Sequence, residues 1–262
     1  MLVDSHCHLI FPELAADIDN VVAHMRENEV THALCVSVTL EDFPQVLALA
    51  ERYPNIYASV GIHPDSQGVK EAEPGDLVRL AAHPKVVAIG ETGLDYHRLT
   101  GDLEWQRERF RRHIRAARAC NKPLIVHTRD AAADTIRIMR EEGADHVGGV
   151  MHCFTESWET AAAALGLGFY ISFSGIVTFK NARALKEVAR QVPLERMLIE
   201  TDSPYLAPVP YRGTVNRPGY VRHVAEEVGR LLNLSWNEVG RVTSENFFKL
   251  FKCQDNEHQA IH

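Results

Sequence analysis

Short runs of β-branched and other apolar residues punctuate the chain at fairly even intervals. They are Leu2–Cys7, Ala33–Val38, Ile56–Val60, Val86–Gly90, Leu124–His127, Gly149–Cys153, Phe169–Phe173 and Met197–Glu200. Between them lie segments of helical character, clearest in LEDFPQVLALAERY, EWQRERFRRHIRAARACN and NARALKEVARQV. In the second, Phe110, Ile114 and Ala117 recur at helical spacing while arginines fill the other face. Strands that are apolar throughout, rather than alternating, suit a parallel sheet buried on both faces. Eight strand–helix alternations predict an α/β fold, a (β/α)8 TIM barrel spanning residues 1–262 as a single domain. A doubly wound open sheet would be expected to carry a Gly-rich phosphate loop, and the chain contains neither GxGxxG nor a Walker sequence. APVPYRGTVNRPG, residues 207–219, reads as a long loop after the last strand, WNEVGRVTSENFFKLF as closing helices and QDNEHQAIH as a frayed tail.

Composition narrows the function classes. Hydrophobic residues make up 45% and charged residues 24%, as in an ordinary globular protein able to bury a core without staples. The net charge of −7 gives no global attraction to nucleic acid or to anionic membrane, although a local basic pocket remains open. Cys7, Cys35, Cys120, Cys153 and Cys253 are odd in number and scattered, which reads as free thiols in a reducing compartment. With no signal peptide and no apolar run long enough to span a membrane, the expectation is a cytoplasmic protein.

The candidate chemistry collects at the C-terminal ends of the predicted strands, where TIM-barrel active sites lie. The first strand ends in His6 and His8, the third runs into His63, and the fourth gives Glu91 and Asp95. The fifth gives His127, Arg129 and Asp130, the sixth His152, and the eighth Glu200, Asp202 and Ser203. Any one of these could be a core histidine or a helix-capping carboxylate; their shared position is what points to a metal site. On a strand, residues two apart point the same way, so His6 and His8 can chelate one ion, with Asp4 one layer deeper, where it could hold a histidine tautomer. Cys7 would then face the helix layer. Four histidines and two carboxylates exceed what one tetrahedral ion with an open position needs, so two ions are expected. His6 and His8 would hold the first, His127 and His152 the second, and Glu91 would bridge. Asp202 would bind the first ion and accept a proton from the nucleophilic water, a metal-bound hydroxide. Two metals clamp the attacking and leaving oxygens of a phosphoester displacement. Zinc, manganese, magnesium, cobalt and nickel are the candidate ions, imidazole-rich ligation leaning away from magnesium.

DSHCHL, GIHP, GETGLDY, VHTRD, HCF and ETDSPYL, in this order, closely resemble the TatD-type metal-dependent hydrolases, a branch of the amidohydrolase-like barrels. The likeness runs from Val3 to the TSENFFKLF segment. It implies a TIM barrel with two divalent metals and, as the family's usual activity, a deoxyribonuclease or other phosphoesterase acting on DNA ends. By resemblance His6, His8, Glu91, His127, His152 and Asp202 are metal ligands, Asp202 the base, and His63 and Arg129 the residues that meet a substrate phosphate. The strand end that carries a modified lysine in many related barrels carries Glu91 here, which leans away from C–N cleavage.

The leading reading is a metal-dependent phosphoesterase, with no obligate protein partner evident. The alternative is hydrolysis of a carbonyl substrate (a lactone, ester or cyclic amide) on the same metal pair; a scaffold without activity is a third. Arg212 and Arg217 could extend an anion pocket or be ordinary loop residues. Glu200 could hold a ligand histidine. The arginines of residues 107–118 read as a solvated face paired with Glu104 and Glu108, and no aromatic platform interleaved with basic residues is evident. Ser203, Thr128 and Asn246 have no recognisable general base beside them, so a Ser/His/Asp mechanism finds no support.

Overall fold

The computed structural model describes residues 1–97 and 99–253; the tail expected to fray, residues 254–262, lies outside the described residues. Eight parallel strands pair in sequence order: β1 (Leu2–Cys7), β2 (Val30–Cys35), β3 (Ile56–Val60), β4 (Val86–Asp95), β5 (Leu124–Arg129), β6 (Gly149–Met151), β7 (Tyr170–Phe173) and β8 (Met197–Ile199). Helices alternate with them, as in a TIM barrel. Closure between β8 and β1 falls largely to the residues just past β8. Asp202 N donates to His6 O at 2.9 Å, His8 N to Ser203 O at 2.8 Å, and Ser5 Oγ to Ile199 O at 3.0 Å. The chain end that carries Asp202 is thereby sewn beside the one that carries His6 and His8.

Burial explains why the apolar runs became strands. One cluster joins Val3, Leu34, Tyr57, Val87, Ile125, Val150, Tyr170 and Leu198, at least one from every strand, to Phe247, Leu250 and Phe251. The helix Trp236–Phe251 thus plugs the N-terminal end of the barrel. A second cluster packs the other strand faces against the helices, and Cys7 lies in it, facing the helix layer as expected. All five cysteines are free thiols.

Strand boundaries differ from expectation in two informative places. β2 begins at Val30 rather than Ala33, because polar His32 is buried, with its ring edge-on to Phe248 at 5.1 Å. β4 continues past Gly90 to Asp95, and Thr92–Asp95 pair with Val126–Arg129 of β5. Two glycines allow this close approach. Gly93 has φ +135°, and a Cβ there would sit 1.9 Å from His127 O; at Gly90 (φ +151°) it would sit 2.7 Å from Ile125 Cβ and O. The register slips between Ile89 and Thr92, so Glu91 sits at the irregularity.

Candidate metal centre

Six of the nominated side chains converge at the C-terminal mouth, on a cavity of about 790 Å³ lined by His8, Glu91, His127, His152 and Asp202, with His6 buried beneath. Around one oxygen of Glu91, His6 Nε2 lies 3.3 Å from Oε2 and 3.3 Å from His8 Nε2. Asp202 Oδ1 lies 3.6 Å from His6 Nε2 and 3.3 Å from His8 Nε2. The other oxygen has its own group. His152 Nε2 lies 2.8 Å from Oε1, His127 Nδ1 3.1 Å and His63 Nε2 3.3 Å. Donor atoms about 2.0–2.2 Å from a shared tetrahedral cation stand roughly 3.3–3.6 Å apart; the separations in the first group match this, and those in the second run from 2.8 to 3.3 Å.

The imidazoles are oriented for ligation. His8 Nδ1 donates to Val36 O at 3.3 Å, His152 Nδ1 to Glu200 Oε1 at 3.1 Å, and His127 Nε2 to Asp95 Oδ2 at 3.0 Å. With a neutral ring, each bond leaves the opposite nitrogen's lone pair facing an oxygen of Glu91 or Asp202, the arrangement by which outer acceptors prepare metal-binding histidines. Glu91 Oε2 and His6 Nδ1 are buried without a hydrogen-bond partner. Acceptors facing acceptors in a buried site need a cation between them, so the residues present fit a divalent metal.

The field in the site favours positive charge. Burial would raise the Glu91 carboxyl, but His152, His63 and His6 outweigh it and hold it well below the usual carboxylate range. Burial works against protonation of His152, yet Glu91 and Glu200 lift it well above an ordinary histidine; Glu91 and Asp65 likewise lift His63 to about 10 against its burial. Asp202 is held low against its own burial by its contact with His8 and by His6. His6 differs: burial and neighbouring His152 depress it.

A model of the family described as TatD related DNase matches residues 3–252. The chain belongs to that family. It is therefore a TatD-family metal-dependent hydrolase. An Escherichia coli (strain K12) relative named "Uncharacterized metal-dependent hydrolase YcfH" is 49% identical over 263 residues, covering 99% of both chains. The "3'-5' ssDNA/RNA exonuclease TatD" of Edwardsiella piscicida is 32% identical, over 96% of this chain and 99% of that one. Among solved structures, the TatD homologue YJJV of E. coli K12 superposes with a TM-score of 0.87 at 27% identity, covering 97% of this chain and 98% of that one.

Within this TatD-family site, His63 lines the cavity and stands with Glu91 and His127 in one of the groups able to hold a cation. Arg129 lines the cavity, exposed, its guanidinium without a hydrogen bond or ion pair among the described residues. Glu200 holds a histidine, as considered. Asp4 does not. Its carboxylate accepts from Thr201 Oγ1 (2.6 Å), Thr201 N (2.9 Å) and the His6 backbone N (3.3 Å), tying β1 to the end of β8. Strand alternation misplaces it because the β1 register shifts between Asp4 and Cys7.

Arg212 and Arg217 do not line the cavity; the Arg212 guanidinium sits 3.6 Å over the Phe179 ring. On the helix Glu104–Cys120, Arg107 pairs with Glu104 and Arg112 with Glu108, while Arg111 reaches Glu141 instead. That helix also carries what the sequence reading passed over. Gln106, Arg109 and His113, spaced along one face, are buried and hold the loop that presents His63. Arg109 Nη1 donates to His63 O and Ser66 O, both at 2.8 Å, and Gln106 Nε2 to Pro64 O at 3.0 Å. His113 Nε2 accepts from Ile62 N at 3.0 Å. Three polar residues at helical spacing within the buried half were the available signal.

Proposed function

We propose that the protein is a phosphoesterase that uses two divalent cations, and that its substrates are DNA or RNA ends cleaved in the manner of an exonuclease. One observation carries the reading. The two oxygens of Glu91 face separate donor groups, Oε2 with His6 and His8 and Oε1 with His127 and His152. A single carboxylate so placed is what a bridging ligand between two ions requires. Asp202 belongs with the first group. When bound, the cations would supply Lewis-acid polarisation of the phosphoryl oxygens and would acidify a water.

The chain's own residues do the rest. Asp202 lines the cavity and is partly exposed, so its carboxylate can take the proton released as water attacks. His63 and Arg129 face the same cavity and meet the phosphate. The Edwardsiella relative's name supports nucleic acid as the substrate class. Five unpaired thiols suit the cytoplasm, and no helix among the described residues is long and apolar enough to cross a membrane.

The test is metal content of purified protein at neutral pH, followed by turnover of single-stranded DNA, aryl phosphodiesters, phosphomonoesters and lactones. About two metals per chain and cleavage of the diesters are expected. Less than one metal per chain overturns the two-cation reading; turnover of lactones with none of the phosphoesters overturns the substrate class.

A further inference from the structure

The two flanks of the mouth differ in chemistry. Toward β3 and β5 the cavity is lined by Asp65, Ser66, Thr128 and Arg129; toward β1, β7 and β8 it is lined by Phe11, Ile176, Tyr205 and Leu206. Phe11 stacks on the His8 ring, centroids 4.8 Å apart and planes within 13°, so an aromatic face continues outward from the donor cluster. Tyr205 closes a corner with it, its ring 6.0 Å from that of Phe11 at 70°.

Tyr205 is 52% exposed, yet its backbone is fastened. Its N–H donates to Asp202 O at 3.1 Å, and its carbonyl accepts from Asn216 Nδ2 at 2.6 Å. Asn216 is itself buried and also donates to Thr201 O at 2.9 Å. The Tyr205 hydroxyl has no partner among the described residues. An exposed aromatic ring whose backbone is fastened beside a reactive site has part of its ordering cost already met, which favours a stacking surface.

We infer that Phe11 and Tyr205 form a stacking corner for the planar base of the nucleotide flanking the scissile phosphate. This rests on the phosphoesterase reading above. With the phosphate over the Glu91 oxygens, one substituent lies against Phe11 and Tyr205 and the other extends toward Arg129. A base reaches the corner only when unstacked from its neighbours, so unpaired ends are preferred to closed duplex.

The test compares kcat/KM for a dinucleoside monophosphate with that for two analogues, each lacking one of the two bases. Loss of the base that docks is expected to lower kcat/KM roughly 5- to 150-fold, the range for one base on one aromatic ring. Tyr205→Ala should lower that ratio several-fold, the Phe11 face remaining, and Tyr205→Phe should keep it. Equal turnover of all three substrates by the wild type, or a ratio unmoved by Tyr205→Ala, overturns the corner alone. No turnover of any of the three overturns the phosphoesterase reading, and the corner's assignment with it.

Discussion

The barrel's two ends, built from the same eight strands, treat buried polar groups in opposite ways. At the N-terminal end, half-buried Lys85 and Lys122 and buried Asn246 all find backbone acceptors. Lys85 Nζ donates to Pro54 O (2.8 Å), Ile56 O (3.1 Å) and Tyr53 O (3.3 Å). Lys122 Nζ donates to Ala81 O and Val86 O, and Asn246 Nδ2 to Leu194 O and Met197 O, both at 2.8 Å. At the C-terminal end, lone pairs converge on one another around Glu91, and Glu91 Oε2, His6 Nδ1 and Glu200 Oε2 lack hydrogen-bond partners. The first end satisfies these donors with protein alone; Ser244 Oγ, on the helix that plugs it, is buried without a hydrogen-bond partner. The second is complete only with something else bound, and that contrast, more than any single motif, separates stability from chemistry in this molecule.

The sharpest way to break the comparison is to remove the group shared by both donor sets. Glu91→Ala is expected to lower kcat on a phosphodiester by about a thousandfold or more and to cut metal stoichiometry. Its melting temperature in chelator is expected to fall below that of the wild type in chelator, because the buried histidines that Glu91 holds lose their counter-charge. Retention of full metal content by Glu91→Ala would remove Glu91 from the centre.

A smaller effect is expected one contact further out. Glu200→Gln and Asp95→Asn weaken the acceptors that orient His152 and His127, and each should cost about 10- to 100-fold in metal affinity or activity. Competition with a chelator reads this directly. If both substitutions leave affinity untouched, the histidines are oriented by packing alone.

What was legible beforehand follows from this division. The strands were legible because burial on both faces makes them apolar runs. The second half of β4 was not, since ETGLD is polar and owes its strand conformation to pairing with β5, which no local pattern reveals. The convergence of the nominated histidines and carboxylates was legible because strand ends display them in order. The seat of His63 beside Glu91 and His127 was not, because Gln106, Arg109 and His113 fix its loop from a helix some forty residues later. Asp4 was misread because a register shift breaks the alternation on which its placement depended.

The same helix makes stability depend on pH. His113 donates Nδ1–H to Arg109 O at 2.8 Å and accepts at Nε2 from Ile62 N, so the fold requires the neutral ring. Burial pushes its pKa down to about 4 from an ordinary 6.5. Because the folded value lies below the unfolded one, the unfolded chain binds the proton first. The contribution is complete above about pH 6.5 and is lost as pH falls toward 4, up to about 3 kcal/mol. The urea-unfolding free energies of wild type and His113→Gln should therefore differ most near pH 7.5 and converge by pH 4.5; a constant difference would show that the ring is not neutral in the fold.

The smallest effect belongs to the N-terminal end of the barrel. Lys85→Met keeps the apolar stem of the side chain and removes three hydrogen bonds to carbonyls, together with the ammonium 5.3 Å over the Tyr57 ring. The site is half-buried, so water re-forms part of what is lost and the cost should be about 1–2 kcal/mol. In a chain of 262 residues that lowers the melting temperature by a few degrees, roughly 2–4 °C per kcal/mol. Activity should stay within about twofold, because the strands couple the two ends only through a close-packed interior that Lys85 does not enter. A variant whose melting point is unchanged while kcat/KM falls tenfold would reverse the assignment, making the N-terminal end part of the catalytic apparatus rather than its support.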